Sequence, residues 1–297
     1  MGFVDQWNIA IIPRPIHSFL NTGLSNDIKI IFKPCRNKFH ADPFGITLGN
    51  INYIFYEAFD YWLNQGVINC VEFHQQKIRK VYHNILRIEG HASYPFLLEH
   101  EGKIFCLPEN IITNKLTLYE ASIFPTEWIP AKDILMDFQA GDPTIVAFNQ
   151  RLWLFCTKGG ENINDELYVF YSDNILGPWQ PHKKNPVKHD VKSSRPAGTP
   201  FIYKKKLYRP AQDCSKEYGG RIIINKIKRL SPTEFMEEEF YMINPPGKFK
   251  NYCGIHTISR MNNFTLVDLK SRVFSPGAFN YLIKKMLIKL IQLIIKV

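Results

Sequence analysis

The sequence has no local motif for a metal centre or for secretion. Its six cysteines stand singly, without a C-x-x-C pair, so spacing gives a zinc site no support. Cys106 and Cys156 occupy matching places in apolar segments and are expected to be small buried hydrophobic residues. The N-terminus has no basic stretch followed by an apolar one, and Gln6 breaks the myristoylation pattern. These absences together predict a protein of the reducing cytoplasm.

Motifs for nucleotide, protease and esterase chemistry are missing as well. The sequence contains no G-x-x-x-x-G-K-[ST], no G-x-G-x-x-G after a strand, no H-E-x-x-H and no G-x-S-x-G. We therefore predict no cofactor and no metal. The net charge is +10, but the basic residues fall in short runs such as 183–184 and 204–206, which are typical of solvated turns. Because a nucleic-acid surface needs basic residues interleaved with exposed aromatic ones, we expect no nucleic-acid partner.

A repeat of about fifty residues is the strongest pattern that the chain does contain. The run GKIFCLPENIITNKLTLYEASIFPTEW ends at Trp128, and the run QRLWLFCTKGGENINDELYVFYSDNILGPW ends at Trp179. Each reads as an apolar strand, a polar turn, a second strand and a short turn that closes on tryptophan. The equivalent positions of the two tryptophans favour wedges between blades over sugar-stacking platforms. Repeats of this size built only from strands are typical of a β-propeller, with one blade per repeat.

Five segments read as the openings of successive blades. They are ADPF at 41–44, SYPF at 93–96, GDPT at 141–144, SRPA at 194–197 and GIHT at 254–257. Proline in four of them suits the start of an axis-lining strand. The apolar segment 7–12 is expected to pair with the C-terminal strand, which would close the ring and remove sheet edges. The sequence thus predicts an all-β, five-bladed β-propeller over residues 1–274.

Residues 275–297 break the strand pattern. Polar residues recur there at helical spacing, with leucine and isoleucine on the other face, at Lys284, Lys285, Lys289, Gln292 and Lys296. This predicts a basic amphipathic C-terminal α-helix, whose charges argue against a membrane-spanning role. Two placements remain open. Residues 279–297 lie on an anionic membrane surface, which would make the protein peripheral on the inner face of the membrane, or the helix packs on the propeller side or on a partner protein.

Two carboxylates stand at equivalent blade openings. Asp42 and Asp142 each precede proline, and a propeller would direct both side chains into one axial funnel. Glycosidic bond cleavage requires such a pair, with one group activating water and the other donating a proton. An Asp-Pro pair can also simply cap a turn and fix the entry of a strand. We take Asp42 and Asp142 as candidate catalytic residues.

Further polar residues fall at corresponding blade positions. Those we take as candidate substrate-binding residues are His91, Ser93, Glu109, Arg195, Arg209, Gln212, Asp213 and His256. An arginine beside two aspartates would keep both ionised, and it could hold a carboxylate or phosphate through two hydrogen bonds. Each residue alone could be a strand-end group that bonds a neighbouring loop, but the clustering at matching positions favours a site. Glu57 follows a second strand in the same way as Glu109.

The blade motifs resemble those of the five-bladed propeller superfamily of arabinanases, xylosidases, invertases and levansucrases. The runs that carry this likeness are ADPF at 41–44, GDPTIV at 141–146 and YSDNILGPW at 171–179. Over roughly residues 7–270 the chain more closely resembles the propeller domain at the N-terminus of plant glucosamine inositolphosphorylceramide transferases and of related bacterial proteins. That resemblance is carried by HASYPFLLEHEGKIFCLPE, DPTIVAFNQRLWLF, SSRPAGTPF and KLYRPAQDCSKEYGGRI.

The resemblance implies the propeller fold and several residue roles. It implies Asp42 as base or nucleophile and Asp142 as the residue that tunes and orients. It also implies a general-acid glutamate in a later blade, but the fourth opening reads SSRPAG and offers none, so Glu109 or Glu217 would have to reach in from elsewhere. In the plant transferases, sugar transfer belongs to a separate C-terminal glycosyltransferase domain, for which a chain ending at Val297 is expected to have no room.

The sequence therefore predicts a carbohydrate-active propeller that cleaves or transfers a glycosidic bond of a cell-surface glycan or glycolipid precursor. The alternative is a non-catalytic glycan-binding or scaffold module of a glycan-biosynthesis system, working beside a partner glycosyltransferase. A third hypothesis, a protein-interaction propeller, would require an exposed apolar patch at the mouth instead of a mixed polar set.

Overall fold

The strands form five sheets of four or five members each. This computed structural model describes residues 3–287 apart from 25–26, 33–34, 76, 111, 247–251, 278, 281–282 and 285. The sheets follow one another along the chain as the blades of a propeller, so the predicted all-β, five-bladed fold is confirmed.

The strands are numbered along the chain. Two of them, separated by a short 3₁₀ helix at Ile16–Leu20, precede the first complete blade: β1 (Phe3–Ile12) and β2 (Lys29–Ile30). Blade one contains β3 (Lys38–Leu48), β4 (Ile51–Asp60), β5 (Gln65–His74) and β6 (Lys77–Tyr82). Blade two contains β7 (Ser93–His100), β8 (Lys103–Glu109), β9 (Lys115–Ile123) and β10 (Glu127–Met136).

The remaining blades are less regular. Blade three contains β11 (Ala140–Phe148), β12 (Arg151–Lys158), β13 (Glu166–Ser172), β14 (Gln180–Pro181) and β15 (Lys188–His189). Blade four contains β16 (Phe201–Tyr203), β17 (Lys206–Asp213), β18 (Arg221–Leu230) and β19 (Phe235–Ile243). Blade five joins β1 and β2 to β20 (Tyr252–Gly254), β21 (Ile258–Met261) and β22 (Phe264–Phe274).

The two ends of the propeller meet in blade five. Strand β1 runs antiparallel to β22, in a register that extends from Phe3 opposite Phe274 to Ile12 opposite Thr265. This confirms the predicted ring closure, although the N-terminal strand begins earlier than the expected segment 7–12. Strands β1 and β22, the first and last of the propeller, each pair with neighbours on both sides, so neither leaves an unpaired sheet edge.

A β-bulge stands at the opening of each of the first three blades. The register of the innermost strand shifts between Ala41 and Phe44, and equivalent shifts flank Tyr94 and Asp142. At the bulges, Asp42, Tyr94 and Asp142 have φ values of +51°, +47° and +48°. The interruption of the strand pairing accommodates the proline that follows each of them. It also redirects the side chain at the bulge, which no longer follows the regular alternation between the two faces of the strand. The openings of blades four and five instead lie in loops, before β16 and between β20 and β21.

Apolar side chains fill the spaces between neighbouring blades. Trp128 of β10 packs against Phe55 of blade one, with ring centroids 5.6 Å apart, and Trp179 is buried in the core beneath blades two and three. Both tryptophans therefore act as wedges, as their equivalent positions predicted. Cys106 and Cys156 are buried free thiols, also as predicted.

Tyr94 ties two blades together across the propeller axis. Its side chain is fully buried, and its hydroxyl accepts a hydrogen bond of 2.6 Å from the backbone N–H of Gly198, in the opening of blade four. Gly198 has a φ of +109°, and a Cβ atom there would lie 1.9 Å from the carbonyl oxygen of Ile258. The close approach of blades four and five therefore requires glycine at this position.

A Gly198→Ala substitution should lower the free energy of unfolding by about 3 kcal/mol, because it adds a backbone clash to a strained conformation. Gly49→Ala is the matched control, since Gly49 has a φ of +57° but no atom within 4 Å of an added Cβ. It should cost about 1 kcal/mol. Urea denaturation of both variants measures the difference, and equal losses would show that the Gly198 contact is unimportant.

Most of the predicted C-terminal helix lies outside the described residues, including all of 288–297. The amphipathic helix and the domain boundary at 274–275 therefore stay predictions. Within the part of the chain that the structure describes, no helix is both long and apolar enough to cross a membrane.

Candidate functional site

A cavity of about 760 Å³ opens at the end of the axis where the bulges lie. Its lining combines carboxylates and cationic groups with aromatic walls. The residues that line it include Trp7, Asp42, Glu57, Phe59, His91, Ser93, Glu109, Asp142, Arg195, Tyr218, His256 and Arg272. Seven of the ten predicted site residues thus meet at one mouth, namely Asp42, His91, Ser93, Glu109, Asp142, Arg195 and His256.

Asp42 is held by residues of blade five, far along the chain from it. Its backbone N–H donates a 3.0 Å hydrogen bond to Asp268 Oδ2 of blade five. Its Oδ1 atom accepts a 2.8 Å hydrogen bond from the Thr257 hydroxyl and lies 3.4 Å from His256 Nε2. Among the described residues, Asp42 Oδ2 has no hydrogen-bond partner. One oxygen is therefore fixed while the other is free to contact a ligand.

His256 lies between two carboxylates. Its Nδ1 atom is 2.7 Å from Asp268 Oδ2, an ion-pair distance whose angle falls outside hydrogen-bond geometry. Its ring stacks on Trp7 with centroids 3.8 Å apart and planes inclined by 25°. Burial acts to lower the pKa of His256, but Asp268 and Asp42 raise it above its usual value. The ring is therefore stabilised as a cation that balances part of the negative charge of the cavity.

The same three residues contain the atoms of a candidate metal site. One ligand-type atom each from Asp42, His256 and Asp268 lies within 4.8 Å of the others. A metal-bound histidine must be unprotonated at the ligating nitrogen. Because the two aspartates raise the pKa of His256, a proton competes with any metal for that nitrogen. We therefore describe the group as a charge-paired triad.

Asp142 is engaged much more fully than Asp42. Its Oδ2 atom accepts hydrogen bonds from Arg195 Nε at 2.6 Å and from Gln212 Nε2 at 2.8 Å. Its backbone N–H donates a 2.7 Å bond to Glu109 Oε2, and Arg195 is fixed in turn by Asn164 at 3.0 Å. Burial raises the pKa of Asp142 to about 7; Arg195 lowers it, and Glu109 adds to the rise. This network suits a residue that orients neighbouring groups.

Glu57 and Glu109 lie on the second strands of the first two blades, Glu57 near the end of β4 and Glu109 at the end of β8. Both oxygens of Glu109 are occupied, one by the Asp142 backbone described above and the other by the Ser93 hydroxyl at 3.3 Å. Glu57 Oε1 lies 3.3 Å from His91 Nε2, and its other oxygen has no hydrogen bond among the described residues. His91 Nδ1 accepts a bond from the Gly66 N–H, so a neutral ring carries its proton on Nε2, facing Glu57.

Asp42 and Glu57, neither of which is paired with an arginine, both have a raised pKa. Burial raises the pKa of Asp42 to about 6, with His256 lowering it and Asp268 raising it. Burial also raises the pKa of Glu57 well above its usual value, and the negative charges of Asp42 and Glu109 add to that rise. Asp42 therefore ionises as the pH rises through about 6, while burial and the neighbouring negative charges favour the protonated form of Glu57. Such a pair has the ionisation states of a base and an acid.

Arg209 does not reach the cavity. The side chain is fully buried, and its guanidinium bonds both oxygens of Glu237, at 2.9 and 2.6 Å, as well as the carbonyl oxygens of Ser193 and Ser194. Strand β17 thus points Arg209 into the interior of blade four, away from the mouth. The prediction that Arg209 binds substrate was therefore wrong, because strand alternation alone did not show which face of β17 borders the axis.

Asp213 and Gln212 also lie behind the mouth. Asp213 accepts a 2.7 Å hydrogen bond from Arg221 Nε and another from the Ser215 N–H, and it does not line the cavity. Gln212 is fully buried and bonds Asp142, so it acts through that carboxylate. Neither residue is placed to contact a ligand directly.

Among the cavity residues outside the predicted site are Trp7, Tyr218 and Glu57, the last of which was noted only as a strand-end residue. The supporting residue Asp268 was not predicted either. The repeat contained a signal for two of them, because Glu57 and Asp268 stand on the second strands of their blades, as Glu109 does. Trp7 enters from β1, and Tyr218 enters from a loop, so neither follows from blade spacing.

The family profile described as "Glucosamine inositolphosphorylceramide transferase 1, N-terminal" matches residues 29–269. The chain belongs to this family. The rice (japonica) protein named glucosamine inositolphosphorylceramide transferase 1 is 36% identical over 207 residues, which are 68% of this chain and 28% of the relative. The Arabidopsis thaliana protein of that name is 34% identical over 265 residues, which are 86% of this chain and 32% of the relative. The chain thus spans about a third of these curated relatives' length.

Solved structures with the same fold include carbohydrate enzymes. A family 117 glycoside hydrolase of Zobellia galactanivorans aligns with a TM-score of 0.58 at 14% identity, covering 92% of this chain and 91% of that one. The α-L-arabinofuranosidase of Podospora anserina, solved with cellotriose, aligns with a TM-score of 0.58 at 10% identity, covering 92% and 98%. At these identities the likeness shows the fold, while the family membership makes this a carbohydrate-related propeller.

Proposed function

We propose that the cavity binds a sugar of a cell-surface glycan or glycolipid precursor and cleaves or transfers its glycosidic bond. One observation carries this proposal. Asp42 and Glu57 lie in the same cavity, and among the described residues neither carboxyl is bonded by a guanidinium and each keeps one oxygen without a hydrogen bond. Asp142 is instead paired with Arg195, and both oxygens of Glu109 are bonded. Two available carboxyl groups, one to act as base or nucleophile and the other as acid, are what glycosidic chemistry requires.

The roles follow from the acidities and contacts. Asp42 Oδ2 takes the proton of a water or sugar hydroxyl that attacks the anomeric carbon, or it attacks that carbon itself. In the second route a glycosyl ester forms, and a water or sugar hydroxyl that gives its proton to the Glu57 carboxylate then displaces Asp42 and releases the sugar. Glu57 gives its proton to the departing glycosidic oxygen, and the neutral ring of His91 holds the other Glu57 oxygen. Asp142 stays in place as the orienting group, through Arg195. This assigns to Glu57 the general-acid role for which the fourth blade provides no glutamate.

The walls of the cavity suit a sugar. Phe59 and Tyr218 offer flat apolar surfaces, while the carboxylates and the Ser93 hydroxyl accept or donate hydrogen bonds to sugar hydroxyls. The volume of about 760 Å³ lies within the usual range for small-molecule sites. Acidic groups outnumber cationic ones in the lining, which favours neutral or amine-bearing sugars over anionic ones.

The rate of glycan turnover should follow a bell-shaped pH profile. Asp42 must be ionised to act as base, so kcat/KM should rise as the pH increases through about 6, the pKa of that carboxyl. Glu57 must be protonated to act as acid, so the rate should fall at a higher pH, where its raised pKa is passed. The profile is measured with the glycan that gives the fastest turnover.

Glu57→Gln provides the control for the upper limb of that profile. The amide cannot lose a proton, so the residual activity of this variant should no longer fall at high pH. A variant that keeps the full bell-shaped profile would assign the acid role to another residue.

A second candidate function is a non-catalytic glycan-recognition or scaffold module, working with a partner glycosyltransferase. The observation that favours it is the fourth-blade opening, where Arg195 stands in the place for which the superfamily resemblance implies a carboxylic acid. Binding of glycans without turnover by the wild-type protein would select this function.

A further inference from the structure

Five large apolar side chains surround part of the cavity mouth, and we call them the apolar rim: Phe3, Trp62, Leu63, Ile112 and Phe274. Their exposed fractions are 63%, 46%, 70%, 61% and 55%. Phe3 itself lines the cavity, and Trp62 and Leu63 follow the cavity residue Tyr61. The rim therefore belongs to the same face of the propeller as the candidate active site.

The rim is confined to one side of the mouth. Its members come from blades five, one and two, through β1, β22, the β4–β5 turn and the β8–β9 turn. The equivalent turns of blades three and four have the polar sequences GGENIND at 159–165 and CSKEYGG at 214–220. A cavity mouth that is apolar on one side and polar on the other is expected to contact a binding surface through its apolar side.

Local contacts hold the rim side chains in exposed positions. Asp60 Oδ1 accepts hydrogen bonds from the N–H groups of Trp62 at 2.8 Å and Leu63 at 3.3 Å, which fixes the turn that presents them. Phe3 and Phe274 are register partners whose rings meet edge to face at 6.1 Å. The exposure is thus built into the folded propeller.

The C-terminal segment leaves the propeller at this rim. Asn37 Oδ1 accepts hydrogen bonds from Ser275 Oγ at 3.0 Å and from the Gly277 N–H at 3.1 Å. A Cβ atom on Gly277 would lie 3.1 Å from the Trp62 ring, so the segment starts in contact with the rim. The apolar side chains described farther along it are themselves exposed, at Phe279, Ile283, Met286 and Leu287. These four side chains are therefore not buried against the propeller.

The positive charge of the chain indicates which kind of surface the apolar rim binds. Residues 279–297 contain four lysines and no acidic residue, and the chain as a whole has a net charge of +10. Exposed tryptophan, phenylalanine and leucine beside a basic segment are the usual anchors at the boundary between lipid headgroups and acyl chains. We propose that the apolar rim docks the propeller onto an anionic lipid bilayer, with the cavity mouth facing the headgroups and the lysines of the C-terminal sequence adding favourable charge.

This docking goes beyond the proposed function, because it requires no chemistry in the cavity. For the proposed function, docking determines where the substrate comes from. A mouth held against headgroups reaches sugars carried on lipids at the membrane surface and is turned away from free oligosaccharides in solution.

Vesicle co-sedimentation of the full chain tests the proposal. Wild type should bind vesicles of phosphatidylcholine with 30% phosphatidylserine about tenfold more tightly than vesicles of phosphatidylcholine alone. Leu63→Asp should weaken binding to the anionic vesicles by about tenfold, since it removes an exposed apolar group that would enter the bilayer and adds a negative charge. Met236→Asp is the matched control, because Met236 is 53% exposed on β19 at the end of blade four away from the cavity.

Trp62 provides a direct readout, as it is exposed while Trp7, Trp153 and Trp179 are buried. A blue shift of tryptophan emission with anionic vesicles, lost in Trp62→Phe, would support the proposal. Three results would overturn it: no binding by wild type, equal binding by Leu63→Asp and Met236→Asp, or a wild-type dimer in light scattering that Leu63→Asp dissociates. The last result would assign the rim to a second copy of the chain.

Discussion

Replacing Asp42 with asparagine is expected to lower glycan turnover by a factor of about 10²–10⁴ while the propeller stays folded. Asparagine keeps the shape of the side chain and an oxygen that accepts the Thr257 hydrogen bond. It cannot take up a proton or attack as an anion, so the chemical step loses its base. The rate is measured by product formation, and the fold by the melting temperature and circular dichroism.

Asp213→Asn is the matched control for this prediction. Asp213 is a buried aspartate on the second strand of its blade, but it pairs with Arg221 and does not line the cavity. The variant should therefore retain turnover. A folded Asp42→Asn protein with wild-type turnover would remove Asp42 from the chemistry. A folded Asp213→Asn protein that loses turnover equally would show that the effect is not specific to the cavity.

Arg209→Met should lower the free energy of unfolding by about 3–5 kcal/mol, the largest stability change that the structure predicts. Arg209 and Glu237 are 0% and 2% exposed and form a two-pronged contact. Burial acts to raise the pKa of Glu237, but Arg209 and Lys188 hold it below its usual value. Without the guanidinium, a carboxylate remains buried with only Lys188 at 2.8 Å to balance it.

The control for this variant is an exposed ion pair. Arg229 and Glu234 are 64% and 58% exposed and 3.6 Å apart, so Arg229→Met should cost less than about 1 kcal/mol. Urea denaturation at pH 7 measures both variants. The Arg209→Met loss should shrink as the pH falls, because a protonated Glu237 no longer needs a cation. Equal small losses in the two variants would show that the buried pair contributes no more than a surface one.

The sequence predicted the fold well because propeller blades repeat. Each blade satisfies its own backbone hydrogen bonds and buries its faces against two neighbours, so the pattern of strands and turns recurs every fifty residues or so. The Asp-Pro and Tyr-Pro openings marked the bulges, since a proline is tolerated only where the ladder is interrupted. Ring closure followed from the apolar segment left over at the N-terminus.

The site was predicted less completely, for a physical reason. Blade spacing shows which residues approach the axis but not which groups pair there. The bond between the Asp42 N–H and Asp268 joins residues 226 positions apart, and its existence depends on how the ring closes. Arg209 and Gln212 are three residues apart on β17, so alternation places them on opposite faces, yet it does not say which face meets the axis.

The sequence likewise did not show which groups contact each carboxylate. Asp42 and Asp142 occupy equivalent openings, but Arg195 and Gln212 bond Asp142, whereas Thr257 and His256 contact Asp42. The difference arises because the neighbouring loops of blades four and five have different sequences. Equivalent positions of the repeat therefore have the same backbone conformation, but their side chains have different hydrogen-bond partners.

The most direct test of the central claim is turnover of a glycan and glycolipid panel by wild type and Asp42→Asn, with products identified by mass spectrometry. We expect wild type to release or transfer a sugar from at least one member of the panel, and Asp42→Asn to bind that member without producing it. Binding by both proteins with no product from either would contradict the claim and leave a glycan-recognition module.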